Sequence, residues 1–303
     1  GDVGSGKTIV AMLAASIIIG NNSQVAIMAP TEILAEQHYK SFKEHFNKID
    51  INVGLLIGKM KPKEKSELLE NIVNSKINIV IGTHALLQEN VLFNDLGLII
   101  IDEQHRFGVS HRKKITDKGS KADILSMTAT PIPRTLAITI HGDMDISIID
   151  ELPKNKASIK TKVISQSKIK ETYEFIISEM KKGNQCFIVY PIIEESEKLD
   201  LKAALTAFES LKQHTFKDFN IGYIDGRMKK KERDLEMSKF LNKKTQCLVS
   251  TTVIEVGIDI PNATVMLIEN ADRFGLSQLH QLRGRIGRGD KNGYCFLVKS
   301  KED

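Results

Sequence analysis

The sequence has no tryptophan, and its 12 phenylalanines are scattered rather than arrayed. Capture of single-stranded nucleic acid on a row of stacking aromatics is therefore not expected. Cysteine is scarce: Cys186, Cys247 and Cys295 lie far apart, each inside an apolar run. That spacing gives neither a disulfide framework nor a zinc site, and it fits a reducing cytoplasm. No run approaches the ~20 apolar residues that cross a bilayer, so no membrane-spanning helix is expected. No charged-then-apolar leader opens the chain, which argues against export. Neither sign of charge dominates. A balance of 43 basic and 38 acidic residues gives +5, which permits a polyanionic partner without demanding one. The eight histidines show no metal-ligand spacing.

What is present is alternation. Short apolar runs (Val25–Ala29, Ile77–Ile81, Leu98–Ile101, Phe187–Tyr190, Leu248–Ser250, Thr264–Ile268, Tyr294–Val298) are separated by longer amphipathic stretches such as Glu32–Phe46, Lys170–Lys181, Lys231–Leu241 and Ser277–Arg283. Runs that are apolar throughout mark strands covered on both faces, as in parallel sheets. The 303 residues suffice for two domains. The expectation is two tandem parallel-sheet α/β domains, residues 1–150 and 158–303, joined by the polar, proline-bearing linker 151–157. An internal repeat supports the division. Residues 51–65 align with 219–233 at an offset of 168, with seven of fifteen positions identical, Gly54/Gly222 and Gly58/Gly226 among them. The same offset lays Thr83 on Thr251 and Asp102 on Asn270. The second domain has no glycine-rich lysine loop, so one nucleotide site is expected, not two.

Residues 1–8 read GDVGSGKT, the G-x-x-x-x-G-K-[ST] pattern. Gly1, Gly4, Ser5 and Gly6 would let backbone N–H groups turn toward phosphate oxygens at a helix N-terminus. Lys7 would reach the β- and γ-phosphates of ATP, and Thr8 would ligate Mg²⁺. The run LIIIDE (Leu98–Glu103) reads as a buried strand ending in two carboxylates. Asp102 is assigned to the metal and Glu103 to activation of the attacking water. Residue 1 is no methionine and already belongs to the loop, so the chain reads as a fragment, with the strand that feeds the loop lying outside it. Loss of that strand, taken as central, is expected to open sheet edges on both neighbours.

Longer strings narrow the reading. DEQH (Asp102–His105), TAT (Thr128–Thr130) and QLRGRIGR (Gln281–Arg288) resemble motifs II, III and VI of superfamily 2 helicases. With IIDEQHRFGV, MTATPIPRTL and STTVIEVGIDIP they resemble the RecG family of branch-migration DNA helicases along essentially the whole chain. The resemblance implies two RecA-like lobes and ATP-driven remodelling of stalled forks and Holliday junctions. It also implies a partner in single-stranded DNA-binding protein, and a monomeric state is expected. It sets Arg285 and Arg288 against the γ-phosphate, with Gln281 and Asp259 supporting the nucleotide and Glu255 near the lobe interface. It assigns DNA contacts to Pro30, Thr31, Gly82, Thr83, His84, Ser250, Thr251 and Thr252, and coupling between the two sites to His105. The basic runs 59–65 and 227–233 read as two phosphate grips.

Three other readings stay open. The transcription-repair coupling factor shares TATPIPRT but more usually carries DEEQ where this chain has DEQH. A catalytically inactive DNA-binding remnant is compatible with the truncated front. RNA helicase activity is disfavoured by the same TATPIPRT string.

Overall fold

The computed structural model describes residues 1, 4–104, 107–119, 121–129, 145–151, 158–192, 197–251, 260–287 and 291–300. Two compact units result, Gly1–Leu152 and Pro153–Asp303, dividing inside the segment 151–157.

In the first unit β1 (Gln24–Met28), β2 (Val53–Leu56), β3 (Ile79–Gly82), β4 (Leu96–Asp102) and β5 (Asp123–Met127) form one parallel sheet ordered β2-β3-β1-β4-β5. Both β1 and β3 are buried along their whole length, as their continuous apolar character requires. Alternate residues serve opposite faces. Val25, Ile27, Leu98 and Ile100 pack with Ala11, Met12 and Ala15 of α1 (Lys7–Gly20) and with α2 (Glu32–Phe46). Ala26, Met28, Val80, Ile99 and Ile101 pack on the other face, where Ile72 of α3 (Pro62–Val73) meets them. Helix α4 (Val109–Thr116) buries Ile115 in that second layer.

The second unit is a six-stranded parallel sheet, order β6-β11-β10-β7-β9-β8. Its strands are β6 (Ile159–Ile164), β7 (Gln185–Tyr190), β8 (Ile221–Ile224), β9 (Cys247–Thr251), β10 (Ala263–Ile268) and β11 (Gly293–Val298). Helices α5 (Ile169–Lys181), α6 (Glu197–Ser210), α7 (Lys230–Leu241) and α8 (Leu276–Arg283) accompany it. All three cysteines are free and buried, and burial pushes the Cys295 thiol up to about 12.

The repeat extends to single hydrogen bonds. Helix α3 falls on α7, and β2 on β8, at the offset read from the sequence. Gln24 donates from Nε2 to the carbonyls of Ile72 and Ile77, both at 2.8 Å; Gln185 donates to the equivalent carbonyls of Phe240 and Thr245, both at 2.7 Å. A Cβ on Gly54 would stand 2.8 Å from Leu68 Cδ1, and one on Gly222 2.9 Å from Glu236 Oε2, the matching position. Glycine at both sites lets the following helix lie close on the strand. Replacing Gln24 or Gln185 with leucine takes the amide donor from the Ile77 or Thr245 carbonyl, at about 1–3 kcal/mol, while the Ile72 and Phe240 carbonyls keep backbone donors in Ser75 N and Lys243 N. Either variant should lose ~1–3 kcal/mol in urea unfolding; a loss confined to one of them would contradict the equivalence.

The two sheets bear on two expectations. In the second sheet the strand that precedes the first helix, β6, lies at the edge and pairs with β11 alone. By equivalence the strand feeding α1 belongs beside β5. The five described strands form one continuous sheet, with β5 at one end of the order. The other expectation, on register, needs correction. Both sheets carry an irregularity where the central strand meets its neighbour, at Leu96–Leu98 and at Ala263–Val265. Matching them sets Ile101 on Ile268, so Asp102 corresponds to Glu269 and Glu103 to Asn270. Glu103 and Asn270 share the left-handed conformation, φ 50 and φ 48.

Candidate active site

The glycine loop enters α1 through two left-handed residues, Gly4 at φ 73 and Gly6 at φ 96. Side chains rarely adopt that conformation, which is why this pattern keeps glycine there. Gly6 is the N-cap, and its carbonyl accepts from Ile9 N at 2.9 Å. Lys7 Nζ donates to the Gly1 carbonyl at 2.8 Å, so the ammonium lies over the loop. The Ser5 hydroxyl is buried and has no hydrogen-bond partner among the described residues. Asp2 and Val3 lie outside the described residues. The Gly1 amino group donates to the Thr128 carbonyl at 3.4 Å, immediately after β5. Because Asp102 is the register partner of Met127, the loop and the acidic pair share the carboxyl end of adjacent strands. Ligands of open α/β sheets bind at that end.

Asp102 is fixed on both oxygens. Oδ1 accepts from Glu103 N at 3.0 Å, and Oδ2 lies 2.8 Å from His38 Nε2. Both carboxylates are buried. The left-handed turn at Glu103 redirects its side chain away from the strand direction, a strained conformation of the sort found at functional sites.

In the second unit the corresponding corner is closed by side chains. The turn that stands in place of the glycine loop, Gln166–Lys168, puts Gln166 Nε2 3.2 Å from Glu269 Oε2. Burial pushes the Glu269 carboxyl above its ordinary value, against the pull of hydrogen bonds from Gln166 and Tyr173. Tyr173 and Tyr190 are pushed up as well, chiefly by burial. Helix α8 carries half-buried Gln281 and ends at Gly284; Arg285 follows, 3% exposed. Gly287, at φ 63, turns the chain so that its N–H donates to the Ala263 carbonyl at 3.2 Å. Arg288, Asp259, Glu255, Thr252, Thr130 and His105 lie outside the described residues.

The residues assigned to DNA divide by exposure. Pro30 and Thr31 are half-buried and His84 is exposed. Thr31 Oγ1 caps α2 by accepting from Leu34 N at 3.3 Å. Gly82 allows a close approach, since a Cβ there would lie 2.4 Å from the Leu56 carbonyl oxygen. Thr83, Ser250 and Thr251 are buried, and none of their hydroxyls has a partner among the described residues. These three hydroxyls are therefore not on the open surface. Of the first basic run, Lys59 pairs with Glu32 at 3.4 Å and Lys65 donates to Gln88 Oε1 at 2.6 Å.

Residues 1–138 match the DEAD/DEAH box helicase model, and residues 167–290 match the helicase conserved C-terminal domain. The ATP-dependent DNA helicase RecG of Thermotoga maritima is 51% identical over 298 residues, covering 98% of this chain and 38% of that protein. The RecG of Streptococcus pneumoniae is 52% identical, covering 98% of this chain and 44% of its own length. A solved RecG bound to a three-way DNA junction superposes with a TM-score of 0.86 at 47% identity, over 100% of this chain and 39% of that one. The chain belongs to the RecG family. It spans about two fifths of the length of these RecG relatives. The MrfA helicase bound to DNA, 19% identical with a TM-score of 0.72, shares the fold.

Within this RecG-family core the sequence reading missed His38, one of the eight histidines without metal-ligand spacing. The signal was present. His38 falls in the buried stripe Leu34, Ala35, Phe42 and Phe46 of α2, where a polar side chain needs a partner. What could not be read was that the partner is Asp102. Among the described residues no helix is long and apolar enough to cross a membrane.

Proposed function

We propose that this chain is the ATP-driven motor of a double-stranded DNA translocase that remodels stalled forks and branch-migrates Holliday junctions. The observation that carries the reading is chain-long identity of about half to RecG proteins, with the glycine loop and the acidic pair set together on one sheet end. In this reading the loop's N–H groups and Lys7 hold the triphosphate, while Glu103 orients and deprotonates the attacking water. Arg285 and Arg288 come to the γ-phosphate and stabilise the charge that develops there, with Gln281 and Asp259 in support. Thr8 and Asp102 would hold Mg²⁺, and the buried Ser5 hydroxyl, without a partner among the described residues, fits a polar ligand on the loop. Asp102, engaged on both oxygens, suits a hold through water. When bound, the ion supplies charge neutralisation across the β- and γ-phosphates.

Pro30, Thr31 and His84 offer phosphate contacts that carry no sequence information, as a motor moving along any sequence needs. The reading brings with it a bacterial cytoplasmic setting, a monomeric state and single-stranded DNA-binding protein as partner. ATP turnover of the intact protein, measured with a three-way junction, linear duplex and single-stranded DNA, is expected to be highest on the junction. Equal turnover on all three, or none above the DNA-free rate, would contradict it.

A further inference from the structure

We propose that His38 is a positioning residue that links the Pro30–Thr31 loop to Asp102, so that nucleic acid on the loop is felt at the magnesium-holding carboxylate. The inference rests on the reading of Asp102 given above. A carboxylate can only accept, so His38 Nε2 carries the proton and donates to Oδ2 at 2.8 Å. The other oxygen is held by the Glu103 N–H, a bond internal to the turn. Among the described residues, His38 is thus the side chain that reaches Asp102 from another element.

That element begins at the candidate DNA loop. Thr31 is the N-cap of α2, held by its bond from Leu34 N, and His38 follows two turns later, about 10 Å along the axis. A helix of 15 residues moves as a rod over that distance. Any shift imposed at Pro30 and Thr31 is passed to the imidazole. Its neighbours on the same stripe, Leu34, Ala35, Phe42 and Phe46, are apolar, and a leucine at position 38 would complete the core at lower desolvation cost. A buried imidazole aimed at the acidic pair therefore does more than fill space. Groups that orient a metal-holding carboxylate typically change metal affinity or activity roughly 10–100-fold when removed.

The test pairs His38→Phe, which fills the volume without a donor, with His38→Gln, whose amide N–H can reach the position of Nε2. Binding of a fluorescent ADP analogue to the intact protein is measured with magnesium and with EDTA, beside ATP turnover with and without junction DNA. His38→Phe should weaken the magnesium-dependent part of binding roughly 10–100-fold, leave binding in EDTA unchanged, and abolish stimulation by DNA. His38→Gln should restore both. If His38→Phe fails to fold, His38→Asn, too short to reach Oδ2, takes its place against His38→Gln. Magnesium dependence and stimulation equal to wild type in the donor-less variant, or equal defects in both variants, overturn the proposal. Lys7→Ala serves as reference. If it abolishes ADP binding while the His38 variants are silent, the coupling alone falls; if it too is silent, the nucleotide site is misassigned.

Discussion

Lys7→Ala is expected to lower DNA-stimulated ATP turnover by ~10²-fold or more, the scale on which a single preorganised donor acts on developing charge. The fold should not change. Lys7 is the first residue of α1, and its ammonium donates to the Gly1 carbonyl of its own loop. The core of that helix is Ala11, Met12 and Ala15, one turn and more away. An unaltered melting curve with lost turnover is the predicted pair of results. Turnover near wild type would remove the glycine loop from the mechanism, whatever its sequence.

Arg285→Ala is expected to cost more, ~10³–10⁵-fold in kcat, if its guanidinium is the one that neutralises the γ-phosphate during transfer. Affinity for ADP should hardly move, because that charge develops only during the reaction. Arg285→Lys should rescue little: an ammonium lacks the planar fork that meets two phosphate oxygens at once. Arg285 is buried, so the alanine variant also needs a melting curve, and the lysine variant is the cleaner comparison. Loss of ADP affinity equal to the loss of kcat would show that Arg285 holds nucleotide in the ground state instead.

Much of this was legible because the relevant signals are local. Glycines that take left-handed φ at Gly4 and Gly6, a buried apolar strand ending in Asp102, and a repeat with one register from Ile51 to Leu86 each follow from short stretches of chain. What was not legible depends on where the chain crosses over. The offset of 168 holds through β3 and β9, then slips by one before β4 and β10, because the two connections differ in length by a residue. That slip moves the counterpart of Asp102 from Asn270 to Glu269. The carboxylate is therefore retained in the second lobe but engaged by Gln166 and Tyr173, with burial favouring its protonated form. Strand order, too, is a property of crossovers, and it sets β5 at one end of the first sheet. His38 belongs to the same class: its partner is 64 residues away in sequence.

A filled corner in one lobe and an open glycine loop in the other lead to a single count. Isothermal titration of the intact protein with ADP and magnesium should give one nucleotide per polypeptide, and none for Lys7→Ala. Two nucleotides per polypeptide, or one that survives loss of the lysine, would contradict the account.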